Sequence, residues 1–305
     1  MTEVTAPIQH LTKGSPSMDA TDFHAARRFV ETPYGRIAYV ERGEGPAALF
    51  LHGYPLNGFQ WRGALTRLMD NRRCIAPDFM GLGYTETPAD QSLAPQAQAD
   101  MLVALLDALA VDAADVIAND SGGTVAQLLA AQRPSRVRTL LLTNCDVHEN
   151  SPPAALGPFI EAARAGLLAE QFIVPQLADK QAARGPEGLG GLTFTDPANL
   201  TDEAIEVYFA PLVSSPLRKA QFNGYAVAFE PNPLPAVAPA LRRCPAPTRI
   251  VWGTGDFLFD VAWAEWLDRT FPNSRGLHRV EGAKLFFPEE QPDLIAEEAL
   301  TLWGE

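Results

Sequence analysis

Short apolar runs alternate with helical patterns along most of the chain, and this alternation restricts the possible folds more than any other feature. The run AALFLHG is apolar throughout, as expected for a strand buried on both faces near the middle of a parallel sheet. Helical patterns near 58–69, 96–110 and 123–132 alternate with the further apolar runs RCIAPD, DVIAND and VRTLLLTN. Because parallel strands need crossover connections, the pattern predicts an α/β fold with a doubly wound, mostly parallel sheet.

The alternation is interrupted once, and the interruption predicts an inserted domain. Residues 147–243 carry helical segments, a glycine-rich loop and a proline-rich stretch, after which the strand TRIVWGTGD resumes the alternation. We therefore expect a core formed by 27–146 and 244–305, with a helical cap at 147–243. Residues 1–26 are rich in Thr, Ser, Pro and Ala, and we expect them to be a flexible leader.

The charge of the chain argues against several kinds of partner. Acidic residues outnumber basic ones 37 to 24, which gives a formal net charge of −13. A surface of this sign repels nucleic-acid phosphates and anionic lipids. No apolar run approaches the ~20 residues of a membrane span. We expect no nucleic-acid or membrane partner, a small-molecule substrate, and a monomer or homodimer.

The sequence shows no sign of a disulfide framework, a metal site or an organic cofactor. Cys74, Cys145 and Cys244 have no paired spacing, which favours a reducing, cytoplasmic location. No glycine-rich dinucleotide motif follows the first strand, and no cluster of metal-ligand residue types is visible. We therefore expect chemistry carried out by side chains alone.

The segment ANDSGG gives the sharpest functional signal. It joins the strand DVIAN to the helix GTVAQLLAA, and so tight a turn excludes bulky residues two positions before and after its apex. With Asp120 at the apex, both flanking positions, Ala118 and Gly122, are small; with Ser121 at the apex, one flank would be Asn119. The pattern favours Asp120 as a nucleophile, the alternative being that Asp120 and Ser121 only cap the helix.

This turn, the loop HGYP, the run DFMGLGYT, the helical insertion and the aspartate after WGTG together resemble the α/β-hydrolase superfamily. An aspartate at the apex is similar to the epoxide hydrolases and haloalkane dehalogenases rather than to serine esterases. The resemblance implies that Asp120 is the nucleophile and that the backbone N–H groups of Tyr54 and Ser121 form an oxyanion hole. It also places Asp256 at the usual position of the acid that orients a catalytic histidine.

Two positions distinguish the subfamilies. Dehalogenases of this group typically hold the halide with a tryptophan after the nucleophile and an asparagine after the HG pair, where this chain has Ser121 and Tyr54. Epoxide hydrolases often have an aromatic residue after HG and two cap tyrosines that donate to the epoxide oxygen. Tyr225 resembles the second of these, whereas Tyr208 lies on a helical repeat and is expected to pack. Trp61, which follows the HGYP loop, could line the pocket.

The chain departs from the superfamily where a histidine should follow the last strand, because Leu285 stands there. Leucine cannot exchange a proton. A serine nucleophile would then fail, but an aspartate is already ionised at neutral pH and can attack carbon unaided. Hydrolysis of the resulting ester would be slowed by ~10²–10⁴-fold if no other base replaces the imidazole.

Three hypotheses remain open. His148 at the start of the cap could reach the pocket and replace the missing base. Alternatively, Asp120 acts as a general acid or base without a covalent step, in a lyase, isomerase or cyclase. Thirdly, the chain is an inactive ligand-binding homologue. Because no histidine is left for it to orient, Asp256 would be a relic or would pair with a cation such as Lys284. The other histidines are assigned to packing or to the leader: His10, His24, His52 and His278.

Overall fold

The computed structural model of the protein describes residues 17–304, in which eight strands form one sheet. The strands are β1 (Arg27–Thr32), β2 (Gly35–Arg42), β3 (Ala47–Leu51), β4 (Arg73–Pro77), β5 (Ala114–Asp120), β6 (Val137–Cys145), β7 (Thr248–Gly253) and β8 (Ser274–Val280). Their order is β1-β2-β4-β3-β5-β6-β7-β8. β2 is antiparallel to β1 and to β4, and all other neighbours are parallel. The predicted doubly wound, mostly parallel sheet is confirmed.

Helices connect the parallel strands, as the crossover rule requires. They are α1 (Ala20–Ala26), α2 (Arg62–Leu68), α3 (Pro95–Ala108), α4 (Ser121–Gln132), α5 (Gly157–Arg164), α6 (Val174–Ala178), α7 (Lys180–Arg184), α8 (Leu189–Thr193), α9 (Asp202–Val213), α10 (Pro216–Val227), α11 (Leu234–Leu241), α12 (Val261–Thr270), α13 (Phe287–Glu290) and α14 (Pro292–Trp303). Short 3₁₀ helices cover Gly58–Trp61, Pro134–Arg136, Ala154–Leu156 and Pro197–Asn199, and a π-helical turn covers Ala169–Ile173. Within residues 17–304, none of these helices is long and apolar enough to cross a bilayer.

Helices α5 to α11 all lie between β6 and β7 in the chain. We call residues 154–241, from the 3₁₀ helix that follows β6 to the end of α11, the helical insert. Its position in the chain matches the interruption of the alternating pattern. The division into a core of 27–146 and 244–305 and a cap of 147–243 stays a prediction.

The segment expected to be a leader is partly folded. Residues 1–16 of it lie outside the described residues. Residues 20–26 form α1, whose first turn is capped by Asp19 through a hydrogen bond from the N–H of Asp22. Phe23 is buried against Phe59, with their ring centroids 5.2 Å apart. The folded chain therefore begins earlier than residue 27, because one aromatic ring in a polar segment anchors it to the core.

The loops that follow the central parallel strands meet at one edge of the sheet. β3 lies between β4 and β5, and all five of its residues are buried, as its continuous apolar run predicts. Burying a side chain such as that of Phe50 contributes ~1.5–3 kcal/mol. Since β3, β5, β6 and β7 are parallel, the loops after them meet at the same edge, where ligands bind in open α/β sheets.

Candidate active site

Asp120 lies at the turn between β5 and α4. It is the last residue of β5, and its backbone angles of φ 53° and ψ −129° are sparsely populated by residues other than glycine. The first turn of α4, which follows Asp120, packs closely against β3 and β6. A Cβ on Gly122 would lie 2.5 Å from the carbonyl oxygen of Leu51, and one on Gly123 would lie 2.3 Å from the Cβ of Cys145. Packing therefore requires the small residues that follow the apex.

The backbone N–H groups of Tyr54 and Ser121 both favour the anion of Asp120. The N–H of Tyr54 donates to Oδ2 at 2.7 Å, and the N–H of Ser121 also lowers the pKa of this carboxyl. Gly53 permits this approach, since a Cβ there would lie 2.7 Å from the Cβ of Asp120. An N–H group can only donate, so both groups favour a negatively charged acceptor. They are the two groups that the resemblance implies for an oxyanion hole.

A chain of buried amides holds the surrounding loops in place. Gln60 accepts a hydrogen bond of 2.9 Å from the N–H of Gly53 and donates one of 2.6 Å to Oδ1 of Asn119. Asn119 in turn donates to the carbonyl oxygen of Leu285 at 3.1 Å. The residue before the apex thus ties the loops after β3 and β8 together, while Asp120 makes the contacts with the two N–H groups. Gln60 was not identified from the sequence.

A cavity of about 70 Å³ adjoins Asp120. Residues of the helical insert and of the strand-end loops line it together: Tyr54, Pro55, Asp120, Asp146, Leu156, Phe159, Ile160, Phe172, Leu189, Leu192, Thr193, Ala226, Phe229, Phe257, Leu258 and Leu285. Most of these side chains are apolar. So small and apolar a space fits a small organic substrate better than a charged or polymeric one.

Asp146 is a second carboxylate in the wall of this cavity. It follows directly after β6, and the parallel ladder pairs Asp120 with Cys145, so Asp146 is one residue beyond the register partner of Asp120. Burial raises the pKa of Asp146 to about 6, although a hydrogen bond with Ser151 opposes the shift. The sequence analysis did not include Asp146 among the site residues. The rule that sites form at the carboxyl ends of parallel strands could have identified it.

The pKa of Asp120 is also raised well above its usual range. Burial is the main cause, and the nearby charge of Asp146 adds to it, while the N–H groups of Ser121 and Tyr54 favour ionisation. Two buried carboxylates that repel each other titrate as a pair rather than independently. The site therefore retains one proton more readily than either group would alone.

Leu285 is buried and lines the cavity, so the position where a histidine was expected contributes only apolar surface. Among residues 17–304, none of the four histidines lines the cavity: His24, His52, His148 and His278. His52 has Nδ1 2.9 Å from the carbonyl oxygen of Gly53, and its Nε2 accepts the N–H of Phe79 at 3.0 Å. His278 contacts Glu298.

The structure does not bring His148 to Asp120, contrary to one hypothesis for the missing base. Residues 147–150 form a tight turn in which the N–H of Asn150 donates to the carbonyl oxygen of Val147 at 2.9 Å. His148 has a φ of 49° within this turn, and its ring lies against Trp266 of α12, with the centroids 4.7 Å apart. The local backbone therefore fixes the imidazole on the core beside α12.

Asp256 does not pair with Lys284. Its Oδ2 accepts a hydrogen bond of 2.8 Å from Asn144, and its Oδ1 accepts one of 2.8 Å from the N–H of Leu258. Lys284 donates instead to the carbonyl oxygen of Gly191 at 2.7 Å. Burial raises the pKa of Asp256 to about 6. Asp256 is not among the residues that line the cavity.

The predicted aromatic residues take different positions. Trp61 is fully buried against Phe50 and does not line the cavity, which corrects the expectation that it would form a wall. Tyr54 does line it, with its ring stacked on that of Tyr225 at 5.4 Å between centroids. The hydroxyl of Tyr225 lies 3.4 Å from Oγ of Ser121. Tyr208 packs in the insert, as expected, and donates to Glu289 at 2.8 Å.

Comparisons with known proteins agree with this fold. A family model for the alpha/beta hydrolase fold matches residues 46–291. Haloalkane dehalogenase 2 of Mycobacterium tuberculosis is 28% identical over 295 residues, which cover 91% of this chain and 94% of the relative. A cis-3-alkyl-4-alkyloxetan-2-one decarboxylase of Shewanella oneidensis is 25% identical over 259 residues, covering 78% and 77% of the two chains. The structure of the epoxide hydrolase CorEH superposes with a TM-score of 0.73 at 22% identity, covering 91% and 98%.

The sheet order, the strand-to-helix turn at Asp120 and the helical insert define an enzyme fold of the α/β-hydrolase class. The chain belongs to the alpha/beta hydrolase fold family, and within it resembles the haloalkane dehalogenases and epoxide hydrolases.

Proposed function

We propose that Asp120 attacks an electrophilic carbon of a small, mostly apolar substrate and forms an alkyl-ester intermediate that water then hydrolyses. The observation that carries this proposal is the carboxylate of Asp120, which lies at the edge of an apolar cavity with Oδ2 held 2.7 Å from the N–H of Tyr54. Once Asp120 is esterified, water must attack its carbonyl carbon, and the oxygen then becomes negative. The N–H groups of Tyr54 and Ser121 are positioned to stabilise that charge.

An epoxide is the substrate class that these residues favour. Opening an epoxide needs a proton for the ring oxygen, and release of a halide needs donors that stabilise an anion. Ser121 and Tyr54 stand where the dehalogenases that the chain resembles carry an indole and an amide for the halide. The cavity offers Asp146 as a protic group, and the buried hydroxyl of Tyr54 has no hydrogen-bond partner among residues 17–304.

In this proposal the helical insert is the cap of the site. Phe159, Phe172 and Leu189 of the insert line the cavity together with Asp120 and Asp146. Apolar side chains there exclude bulk water and select an apolar substrate. These contacts support the finer assignment, an epoxide-hydrolase-like enzyme with an aspartate nucleophile and a helical cap.

A second candidate function is proton transfer without a covalent step, in a lyase, isomerase or cyclase. It is favoured by one observation: among residues 17–304, no imidazole lines the cavity. One relative is named a decarboxylase, so the fold is compatible with a reaction other than hydrolysis. In this case Asp120 would exchange a proton with the substrate and never carry an ester.

Oxygen-18 labelling separates the two candidates. In labelled water, a covalent mechanism places the label in the Asp120 carboxylate after several turnovers of 1,2-epoxybutane, because water attacks the carbonyl carbon of the ester. Peptide mass spectrometry locates the label, and Asp120→Asn is the control that removes the nucleophile. Diol formation with no label in the peptide that contains Asp120 would overturn the covalent proposal. Turnover to a product that is not hydrated would favour the second candidate.

A further inference from the structure

The cavity contains two carboxylates on neighbouring strand ends and no other strong acid or base. The titratable side chains among its lining residues, all within the described part of the chain, are Tyr54, Asp120 and Asp146. Asp120 is 6% exposed and Asp146 is 3% exposed. Asp120 pairs with Cys145 in the ladder between β5 and β6, and Asp146 is the next residue after Cys145. The site therefore has two acidic groups, of which one can act as the nucleophile and the other as the proton carrier.

The surroundings of the two carboxylates differ, and the difference assigns the roles. Asp120 faces the backbone N–H groups of Tyr54 and Ser121, which can only donate and therefore favour its anion. Asp146 interacts with the hydroxyls of Ser151 and Thr124, which can accept a hydrogen bond as well as donate one, and, within the described part of the chain, with only one backbone N–H, its own. The proposed roles need the proton on Asp146 and the negative charge on Asp120, and the hydrogen bond of 2.7 Å from the N–H of Tyr54 stabilises that charge on Asp120.

The other candidates are less suited to moving a proton in both steps. Burial raises the pKa of Tyr54 well above its ordinary value, so its phenolate is not available to take a proton from water. Asp256 is bonded to Asn144 and to the backbone of Leu258, and it does not line the cavity. His148 packs on Trp266. Asp146 is thus the group in the cavity wall, within residues 17–304, that combines an accessible second protonation state with proximity to Asp120.

We propose that Asp146 is the proton carrier of this site and takes the place of the missing imidazole. This inference rests on the proposed function. In the first step, Asp120 attacks an epoxide carbon, the ring C–O bond breaks, and protonated Asp146 gives its proton to the ring oxygen. In the second step, the Asp146 carboxylate takes a proton from the water that attacks the ester carbonyl. The C–O bond to the product then breaks, the leaving oxygen takes a proton from the tetrahedral intermediate, and Asp120 returns to its anion with Asp146 protonated.

An alkyl halide separates the two steps, because a halide leaves without a proton. Without the indole and amide donors of the dehalogenases its release is slow, so the reaction is followed over a single turnover. We compare 1-bromobutane and 1,2-epoxybutane with the wild type, Asp146→Asn and Asp120→Asn. Asp146→Asn should release one equivalent of bromide and then stop, with a mass increase of one butyl group on Asp120. Its steady-state turnover of the epoxide should fall by ~10²–10⁴-fold, the usual contribution of a general base or acid. The single burst of bromide also shows that the variant is folded.

Asp260→Asn is the matched control. It removes one negative charge at the exposed N-cap of α12, and asparagine caps as well as aspartate does. This variant should behave like the wild type with both substrates. If Asp146→Asn instead turns over the epoxide and the bromide at the rate of Asp260→Asn, without an adduct, Asp146 is not the proton carrier. If neither substrate gives product or adduct with any form of the protein, the proposed function itself fails.

Discussion

The side-chain amide of Asn144 donates a hydrogen bond of 2.8 Å to the carboxylate of Asp256. Asn144 is the second-last residue of β6, and Asp256 follows β7 at the position where the resemblance places the acid that orients a histidine. Here they are bonded to each other. Leu285 fills the position of the imidazole, so Asp256 has no base to orient.

We expect Asp256→Asn to change stability more than turnover. Asparagine keeps one acceptor oxygen where aspartate has two, so its NH2 group would face either the donating amide of Asn144 or the N–H of Leu258, and one of these two hydrogen bonds is lost. A lost buried hydrogen bond costs ~1–2 kcal/mol in the free energy of unfolding, which urea denaturation measures. The rate of epoxide hydrolysis should stay within a few-fold of wild type, whereas loss of the acid of a true triad costs ~10⁴-fold. A comparable loss of kcat here would show that Asp256 does assist a base.

Restoring an imidazole at position 285 should rescue a stalled ester. Leu285 lines the cavity, and its carbonyl oxygen is anchored by Asn119, so the backbone is held while the side chain changes. In the Asp146→Asn background, Leu285→His should restart release of the product from the Asp120 ester by at least ~10-fold, as expected of a new general base. Single-turnover decay of the adduct mass measures this rate.

Leu285→Gln is the control for that rescue, because it adds a polar side chain that cannot act as a base. Equal decay of the adduct in the His and Gln variants would mean that added space or water, and not the imidazole, accelerates the reaction.

The fold and the apex were predictable because each depends on local patterns. Buried parallel strands read as continuous apolar runs, as β3 does, and the turn at Asp120 excludes side chains behind it, which leaves glycine at 122 and 123. The resemblance of the whole set of motifs then identified the family.

The remaining parts of the site depend on relations that no local pattern records. Asp146 belongs to the site because β6 lies beside β5 in the sheet and ends at Cys145, the residue before Asp146. His148 is removed from the site by a positive φ within a tight turn. Trp61 lies in the core because the 3₁₀ helix that carries it packs its ring against Phe50.

Crowding behind the apex should make Gly123→Ala strongly destabilising. A Cβ there would lie 2.3 Å from the Cβ of Cys145, on a buried strand that cannot move without disturbing the sheet. We expect a loss of ~2–4 kcal/mol in the free energy of unfolding, typical of severe overpacking. Gly157→Ala is the matched control, since a Cβ at Gly157 of α5 meets no atom within 4 Å. That variant should be neutral or slightly more stable. Similar values for both variants would contradict the packing argument.

The buried carboxyl of Asp146 should make the stability of the protein depend on pH. Its pKa rises from an ordinary value of 3.8 to about 6 on folding, so the folded state binds its proton more tightly than the unfolded chain does. That contribution to stability is complete below the unfolded pKa and is lost as the pH rises through the folded pKa. The asparagine side chain of Asp146→Asn cannot ionise, so this variant does not lose that contribution to stability as the pH rises. A shift of about two pKa units corresponds to on the order of 3 kcal/mol.

We therefore expect Asp146→Asn to gain stability relative to the wild type as the pH rises between about 4 and 7. Urea unfolding of both proteins across this range measures the difference, and Asp260→Asn controls for removal of one negative charge. A difference that does not change with pH would mean that Asp146 is ionised as easily in the fold as in the unfolded chain. It would then lack the proton that the first step of the proposed mechanism requires.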